Sequence, residues 1–569
     1  MRFPTPLLWF LAFSALALLL SLVTPYLPGT NDSYYHLAMG RLMMERGILY
    51  EFPWLWMTTL REQFVNQHMG FHLLLGSFDG IVTSLLSMLG VAGLLTPYFG
   101  AKLWSAMVTG GVATILLLAG RGTKTKALVG PWIVLLLLLP YDFWFRMMQV
   151  RGQGLALLLL LASLFFFERK RWILLLLVSV FFPWIYGGFV FVPVVFAIIE
   201  GITWAKSRSR LTWSTWRGTL TVSVSILGGL LLHPYSPNIF PYLWTQIVGS
   251  GLGMTLLEPQ EWMPYAPLVF VAEHLVLLPI FFYGLWHVWK HRTSLSPRPF
   301  ALLGVALFFL AFTLKSQRFI EYWPAFAVLF LAALHQEKPL LPPGIWSPRL
   351  CLSLVALVIL GASWIPGVLE PFPFGTEILS LRLALSILLV PFLLIACVWP
   401  IPKHAKRTSA VMALGFLLGL YNMALVARSL EPPVALVLDT QELGRCLAEK
   451  TPPQTVVFID TWDRFPLLFS VNHHNYYTLG LDPIFMYARS PALWQKYRVL
   501  PTSSESGTLL REALRTDFDA EVAVVGVQHT AFAEKLLSTP GASILCNTRN
   551  VVAIDLRSQA PAEKAQVQQ

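Results

Sequence analysis

A polytopic α-helical membrane protein with about thirteen spanning helices, followed by a C-terminal α/β unit, is the fold this sequence predicts. The 569-residue chain is 56% hydrophobic and only 12% charged, with a mean hydropathy of +0.63, whereas soluble domains carry about one-quarter charged residues. Its apolar residues gather in runs such as Leu7 to Val23, Leu155 to Phe167 and Ala301 to Leu314, and about 20 such residues cross a bilayer core. After residue 428 short β-branched runs alternate with polar helical stretches instead, which is an α/β pattern. A water-soluble core cannot absorb this much apolar surface, and hydrocarbon forces the runs into helices because it offers the backbone no hydrogen-bond partners.

The first run is followed by Pro25, Tyr26 and Pro28 rather than by a small-residue cleavage pattern, so it reads as a retained helix and not a removed signal peptide. The net charge of +11 sits in short clusters between apolar runs. That is how cytoplasmic loops are marked, and it argues against a nucleic-acid partner. The clusters are Arg121–Lys126, Arg169–Arg171, Lys206–Arg217, Lys290–Arg298, Lys338–Arg349 and Lys403–Arg407. Placing them inside puts helices near 6–24, 100–120, 128–141, 153–167, 172–183, 188–203, 217–233, 266–287, 300–315, 322–337, 350–366, 377–399 and 409–428. Together residues 1–428 form the predicted transmembrane unit.

The loops then hold 19 Lys and Arg inside and 7 outside, consistent with a plasma (inner) membrane protein whose amino terminus is cytoplasmic and whose C-terminal unit is extracytoplasmic. Loop carboxylates concentrate on the outer side, which points to chemistry there. Residues 25–99 form the first external loop. Within it Tyr34–Arg46 reads as an interfacial amphipathic helix and Phe71–Leu95 as a hairpin lying in or dipping into the outer leaflet. Residues 429–558 are the α/β unit, and 559–569 a disordered tail. Cys446 and Cys546 both fall in that unit. In an oxidising compartment they pair, or else they are two buried apolar cysteines; the second reading is favoured because membrane anchoring reduces the need for a staple.

Asn31-Asp32-Ser33-Tyr34-Tyr35-His36 lies at the outer end of the first helix, where Asp32 either N-caps the helix that follows or carries chemistry. An acid followed by aromatics and His in the first external loop resembles the GT-C glycosyltransferases, polytopic enzymes that take sugars from polyprenyl-phosphate carriers. About thirteen spans, a long first loop and an outer C-terminal unit extend the resemblance to the oligosaccharyltransferase branch.

The resemblance implies that Asp32 activates the acceptor or holds a metal. That branch has a D-x-D motif in its second external loop, where this chain offers only Asp142. Asp32 and Asp142 are the ligands for one Mg²⁺ or Mn²⁺ if a metal is used. Glu261, in Leu257-Glu258-Pro259-Gln260-Glu261-Trp262, occupies the place of an acceptor-orienting loop glutamate; the alternative is a solvated charge.

Lys315 and Arg318 are cations at an outer helix mouth, where the charge bias disfavours them. A lipid phosphate partner would explain them, and pairing of Arg318 with Glu321 or with headgroups is the structural alternative. Arg146 and Arg151 are further cations on that side. His36, His68 and His233 sit at outer helix ends, where an imidazole binds phosphate or moves a proton. In the tail, Asp460-Thr461-Trp462-Asp463 resembles an acceptor-reading motif only in its Trp-Asp pair, and reads first as a packing surface.

The implied function is transfer of a sugar from a polyprenyl-phosphate-linked donor to a lipid, glycan or protein acceptor at the outer face, with membrane lipids as surroundings and no nucleic acid. A flippase or transporter of a lipid-linked substrate is the rival from another class. It requires ionisable residues at mid-membrane, of which the spans show few, Glu273-His274 and Arg382 among them. A polysaccharide polymerase or ligase shares the donor but does not need an outer α/β unit.

Overall fold

The computed structural model describes residues 5–91, 95–121, 129–207, 212–247, 249, 260–340 and 405–557. The expected helices at 350–366 and 377–399, Glu258, Arg382 and the tail 559–569 lie outside the described residues. Among the described residues, five helices are long and apolar enough to cross a membrane, or seven if each of two sharply bent pairs is one span. The bent pairs are Pro131–Leu137 with Tyr141–Met148, at 77°, and Pro267–Glu273 with Leu277–His291, at 83°. Each replaces one straight helix of the sequence reading. In the first pair the bend falls at Pro140, which lacks the N–H that would continue a helical ladder.

Residues Asp32–Arg46 and Met69–Met88 are helices, and they correct the expectation of an interfacial loop in two ways. Asp32–Arg46 has Ser33 through Gly40, Leu42 and Met43 buried, so it packs inside the protein. Met69–Met88 is one continuous helix of spanning length, not a hairpin. Its Gly76 is a crossing point rather than a turn: a Cβ there would come within 2.4 Å of the Gly40 carbonyl oxygen. Where surrounding lipid is as apolar as the helices, packing rests on such close backbone approach.

The ionisable groups buried among these helices mostly serve backbone ends or each other. Lys102 is fully buried and donates to the carbonyls of Ser21, at 2.9 Å, and Thr24. It places a cation at the C-terminus of helix Thr5–Ser21, where the dipole favours one. Glu200 accepts from the backbone of Gly218 and Thr219 at the start of helix Arg217–Leu231, and Arg41 pairs with Asp79 at 2.8 Å.

Among the described residues, five strands form one sheet in the C-terminal unit: β1 Val456–Ile459, β2 Tyr476–Tyr477, β3 Val522–Gly526, β4 Ser543–Asn547 and β5 Val551–Asp555. The order is β2-β1-β3-β5-β4. β1 is parallel to β2 and β3, while β5 is antiparallel to β3 and β4. β1 and β3 are buried at every position, as expected of unbroken apolar runs covered on both faces.

The first loop joins this sheet. Met57 N–H and Trp56 N–H donate to the carbonyls of Thr478 and Tyr477, and Tyr477 N–H donates back to Trp54. The segment Trp54–Met57 thus covers the otherwise open β2 edge and ties the sheet to the helices that carry the loop. Cys446, on helix Val434–Lys450, and Cys546, on β4, are joined by a disulfide with Cα atoms 6.1 Å apart. The favoured reading of two unpaired cysteines is therefore corrected. For a closed loop of 100 residues the chain-entropy model gives a stabilisation of at most about 4.7 kcal/mol.

Candidate functional site

A cavity of about 610 Å³ lies between the helices and the sheet, walled by Asp32, Tyr35, His36, Arg151, Glu261 and Arg318 together with Trp462 and Phe485 from the C-terminal unit. Gly29 makes the turn that delivers Asp32. Its φ is +86°, and a Cβ would meet Gln149 at 2.6 Å, so both the left-handed backbone and the close approach require glycine. Asn31 is the N-cap of the helix that follows, without a side-chain capping bond. Asp32, its first residue, does not cap it and pairs instead with Arg151 at 2.9 Å.

Three arginines converge on Glu261. Arg318 reaches it at 2.7 Å, Arg146 at 3.3 Å and Arg151 at 3.7 Å. The side chains are 21%, 11% and 8% exposed, so the charges act in a medium less polar than water. Burial works against the ionised form of Glu261, but Arg318, Arg151 and Arg146 outweigh it and hold the carboxyl well below the usual carboxylate range. Arg318 also lies over the Trp262 ring at 4.7 Å and donates to the Tyr186 hydroxyl at 3.3 Å. The guanidinium Nε atoms of Arg146 and Arg151 have no hydrogen-bond partner among the described residues.

Glu321, fully buried on the cavity wall, accepts from the Tyr186 hydroxyl at 3.4 Å, while its other oxygen has no partner among the described residues. Burial pushes its carboxyl up from 4.5 to about 7, against the pull of Arg146, Arg318 and Arg151. A raised carboxyl contributes stability that is complete below its unfolded pKa and is lost as pH rises through the folded one. The window here runs from about 4.5 to about 7, and the loss is on the order of 3 kcal/mol. Glu321→Gln is therefore expected to raise the thermal midpoint relative to wild type at pH 8 and to leave it unchanged near pH 5. Parallel melting curves at both extremes of pH would refute the assignment.

Of the residues singled out from the sequence, Asp32, His36, His68, Arg151, Glu261 and Arg318 all reach the cavity. Three do not. Asp142 accepts from the Tyr265 hydroxyl at 2.5 Å and lies 3.9 Å from Arg146, behind the cavity wall. Lys315 is exposed at the end of helix Pro297–Lys315. His233 is buried against Trp184, and its Nδ1 accepts from the Tyr235 N–H. Arg318 pairs with Glu261 rather than with Glu321.

The donor set does not suit a divalent cation. Asp32 is taken by Arg151 and Asp142 by Tyr265, and no group of three His, Cys, Asp or Glu comes together among the described residues. No step below is routed through Mg²⁺ or Mn²⁺. Tyr186, Asn66 and His72 were not legible in the sequence, since nothing in their local pattern sets them apart from ordinary interfacial residues. In the tail, Asp460 is a buried acceptor for Arg464, His529 and the Gly526 N–H. Trp462 reaches the cavity while its neighbour Asp463 accepts from Asn31 through its carbonyl, at 3.0 Å.

No protein-family model and no curated protein sequence matches the chain. Solved structures do match in fold. ArnT from Cupriavidus metallidurans bound to undecaprenyl phosphate aligns with a TM-score of 0.57 at 14% identity, over 97% of this chain and 98% of that one. The archaeal oligosaccharyltransferase AglB from Archaeoglobus fulgidus, in complex with an inhibitory peptide and a dolichol-phosphate, aligns with a TM-score of 0.56 at 12% identity, over 93% and 71%. The Archaeoglobus fulgidus oligosaccharyltransferase in the apo form gives 0.56 at 11% identity, over 92% and 70%. The resemblance read from the sequence thus holds at the level of the fold, and the chain is a multi-pass membrane protein.

Proposed function

We propose that this protein is a GT-C-type glycosyltransferase that moves a sugar from a polyprenyl-phosphate-linked donor to an acceptor at the outer face of the plasma membrane. The convergence of three buried arginines on one glutamate, at the wall of a large cavity between helices and sheet, carries this reading. Two proteins of the same fold were solved with a polyprenyl phosphate bound, and the cavity supplies groups that such a headgroup requires.

Arg151 and Arg318 line the cavity, and each guanidinium can hold two phosphate oxygens in one plane. Arg146 adds its charge from behind. As the bond from the anomeric carbon to phosphate breaks, negative charge gathers on the departing oxygen, and fixed cations in a partly dry site stabilise it there. Glu261 keeps the three guanidiniums together before the donor arrives, since buried like charges would otherwise repel. Asp32 stands at the same cavity and engages the acceptor. Trp462 and Phe485 place the C-terminal unit where it can contribute to acceptor choice.

The transporter reading calls for ionisable residues along a path through the helices. Among the described residues, Lys102 and Glu200 are engaged by helix ends and Asp79 by Arg41, and neither these nor Glu273 and His274 line the cavity.

Incubating the purified protein with radiolabelled polyprenyl-phosphate sugars and candidate acceptors tests the activity: label should move to an acceptor or, slowly, to water. Transport of the intact donor across proteoliposomes without cleavage would favour the rival. Orientation has its own test. Reporter fusions after Ser429 are expected to signal an extracytoplasmic location, and a cytoplasmic signal would overturn the outer-face assignment.

A further inference from the structure

Two histidines line the cavity, His36 and His68, and their hydrogen bonds determine which ring nitrogen of each carries the proton. His68 Nδ1 lies 3.1 Å from the Ile185 carbonyl, which can only accept, so Nδ1 is protonated. Its Nε2 then accepts from the Gln67 amide at 3.2 Å and is already used.

His36 is fixed by a longer chain. The backbone N–H of His68 donates to Asn66 Oδ1 at 3.1 Å. Because that donor can only donate, the Asn66 atom is the carbonyl oxygen and not the amide nitrogen. His72 Nδ1 meets the same oxygen at 2.9 Å and must therefore carry a proton. His72 is fully buried and has no carboxylate among its partners, so a charged ring there would be costly. Its Nε2 is consequently an acceptor. His36 Nδ1, 2.7 Å away, is the donor, and His36 Nε2 is left as a bare lone pair. It has no hydrogen-bond partner among the described residues.

We propose that His36 is the base that takes the acceptor's proton, with His72 and Asn66 as positioning residues that hold its ring in the one tautomer able to do so. This rests on the transferase reading above and sharpens it. A lone pair repels phosphate oxygens but welcomes an O–H or N–H. His36 therefore does not hold the phosphate of the donor; it serves the acceptor.

In the step, the acceptor O–H or N–H bond breaks and its proton passes to His36 Nε2. The acceptor heteroatom bonds to the anomeric carbon, and the carbon–oxygen bond to phosphate breaks, its electron pair leaving on the polyprenyl phosphate. Asp32, one turn earlier on the same helix face and held by Arg151, orients the acceptor. Burial lowers the pKa of His36 well below its ordinary value, aided by His72, His68 and Arg151, which keeps the ring neutral before reaction.

The test uses the full chain in nanodiscs, single-turnover transfer from a polyprenyl-phosphate sugar, and ¹⁵N spectra of labelled histidine. His36→Asn keeps a donor toward His72 but has no basic nitrogen. It is expected to lower the transfer rate about 10²- to 10⁴-fold with binding of polyprenyl phosphate unchanged. His72→Leu releases the ring and is expected to slow transfer about 10- to 100-fold, with both His36 tautomers in the spectrum. His72→Gln, whose amide oxygen can stand where Nε2 stood, should recover most of that loss. A protonated His36 Nε2 in the wild-type spectrum, or undiminished transfer by His36→Asn, overturns the proposal and leaves the transferase reading standing. Failure of the wild type to turn over any polyprenyl-phosphate sugar overturns both.

Discussion

Asp32→Asn is expected to lower sugar transfer by about 10²- to 10³-fold while expression, membrane insertion and thermal stability stay near wild type. The carboxylate is 42% exposed at the cavity and makes one ion pair, with Arg151 at 2.9 Å. The amide is the same size and does not disturb the start of helix Asp32–Arg46, whose N-cap is Asn31. Arg151 keeps Glu261 at 3.7 Å and the Gln149 side chain at 3.3 Å, so no buried charge is stranded. What is lost is a negative charge beside the acceptor. Single-turnover transfer and a melting curve on the same preparation decide the matter: a folded Asn variant with wild-type rate removes Asp32 from the mechanism.

Arg318→Ala is expected to weaken donor binding by roughly 10²-fold, the scale set by losing a charge-assisted, two-pronged contact of about 3 kcal/mol. The fold should survive. Glu261 retains Arg146 and Arg151 after the change, and the space vacated lies at the cavity between Trp262 and Tyr186. Arg318→Lys keeps the charge but loses the fork and the stacking on Trp262, so it should recover only part of the loss. Lys315→Ala is the control three residues away. Its side chain is exposed and does not line the cavity, and donor affinity should be unchanged. Equal losses at Arg318 and Lys315 would show a diffuse electrostatic effect rather than a phosphate clamp. Titration of each variant with a polyprenyl phosphate distinguishes the two.

Much of the membrane architecture was legible because the thickness of hydrocarbon leaves a direct mark on composition. Helices Phe99–Arg121, Gly152–Glu168, Pro297–Lys315 and Trp323–Glu337 begin and end within a few residues of the apolar runs that predict them. The strands Val456–Ile459, Val522–Gly526 and Val551–Asp555 coincide with the β-branched runs. The pattern misled where apolar content and path diverge. Met69–Met88 contains glycines that look like a turn but serve a helix crossing, and Asp32–Arg46 looks interfacial but is buried by the C-terminal unit and helix Met69–Met88.

The candidate site divides in the same way. Asp32, Glu261, Arg151 and Arg318 stand out in the sequence because a charged residue beside an apolar run is costly without a partner, and that cost marks a position whatever the fold. Composition alone thus determined the membrane class, several of the helices and a short roster of charges at helix ends. Partnership is another matter. Glu261 and Arg318 are 57 residues apart, and Arg146 and Glu261 are 115 apart, distances over which no local pattern reports contact.

Arg318 turns into the cavity and Lys315 away from it because a 3-10 turn, Gln317–Glu321, intervenes. Asp142 and Arg146 share one helix face, yet Asp142 is held by Tyr265 while Arg146 reaches Glu261. The tautomer of His36 depends on a backbone N–H three hydrogen bonds away. Only the tertiary structure decides these things, because hydrogen bonds and ion pairs depend on ångström distances and on the direction of each donor, and packing alone sets both.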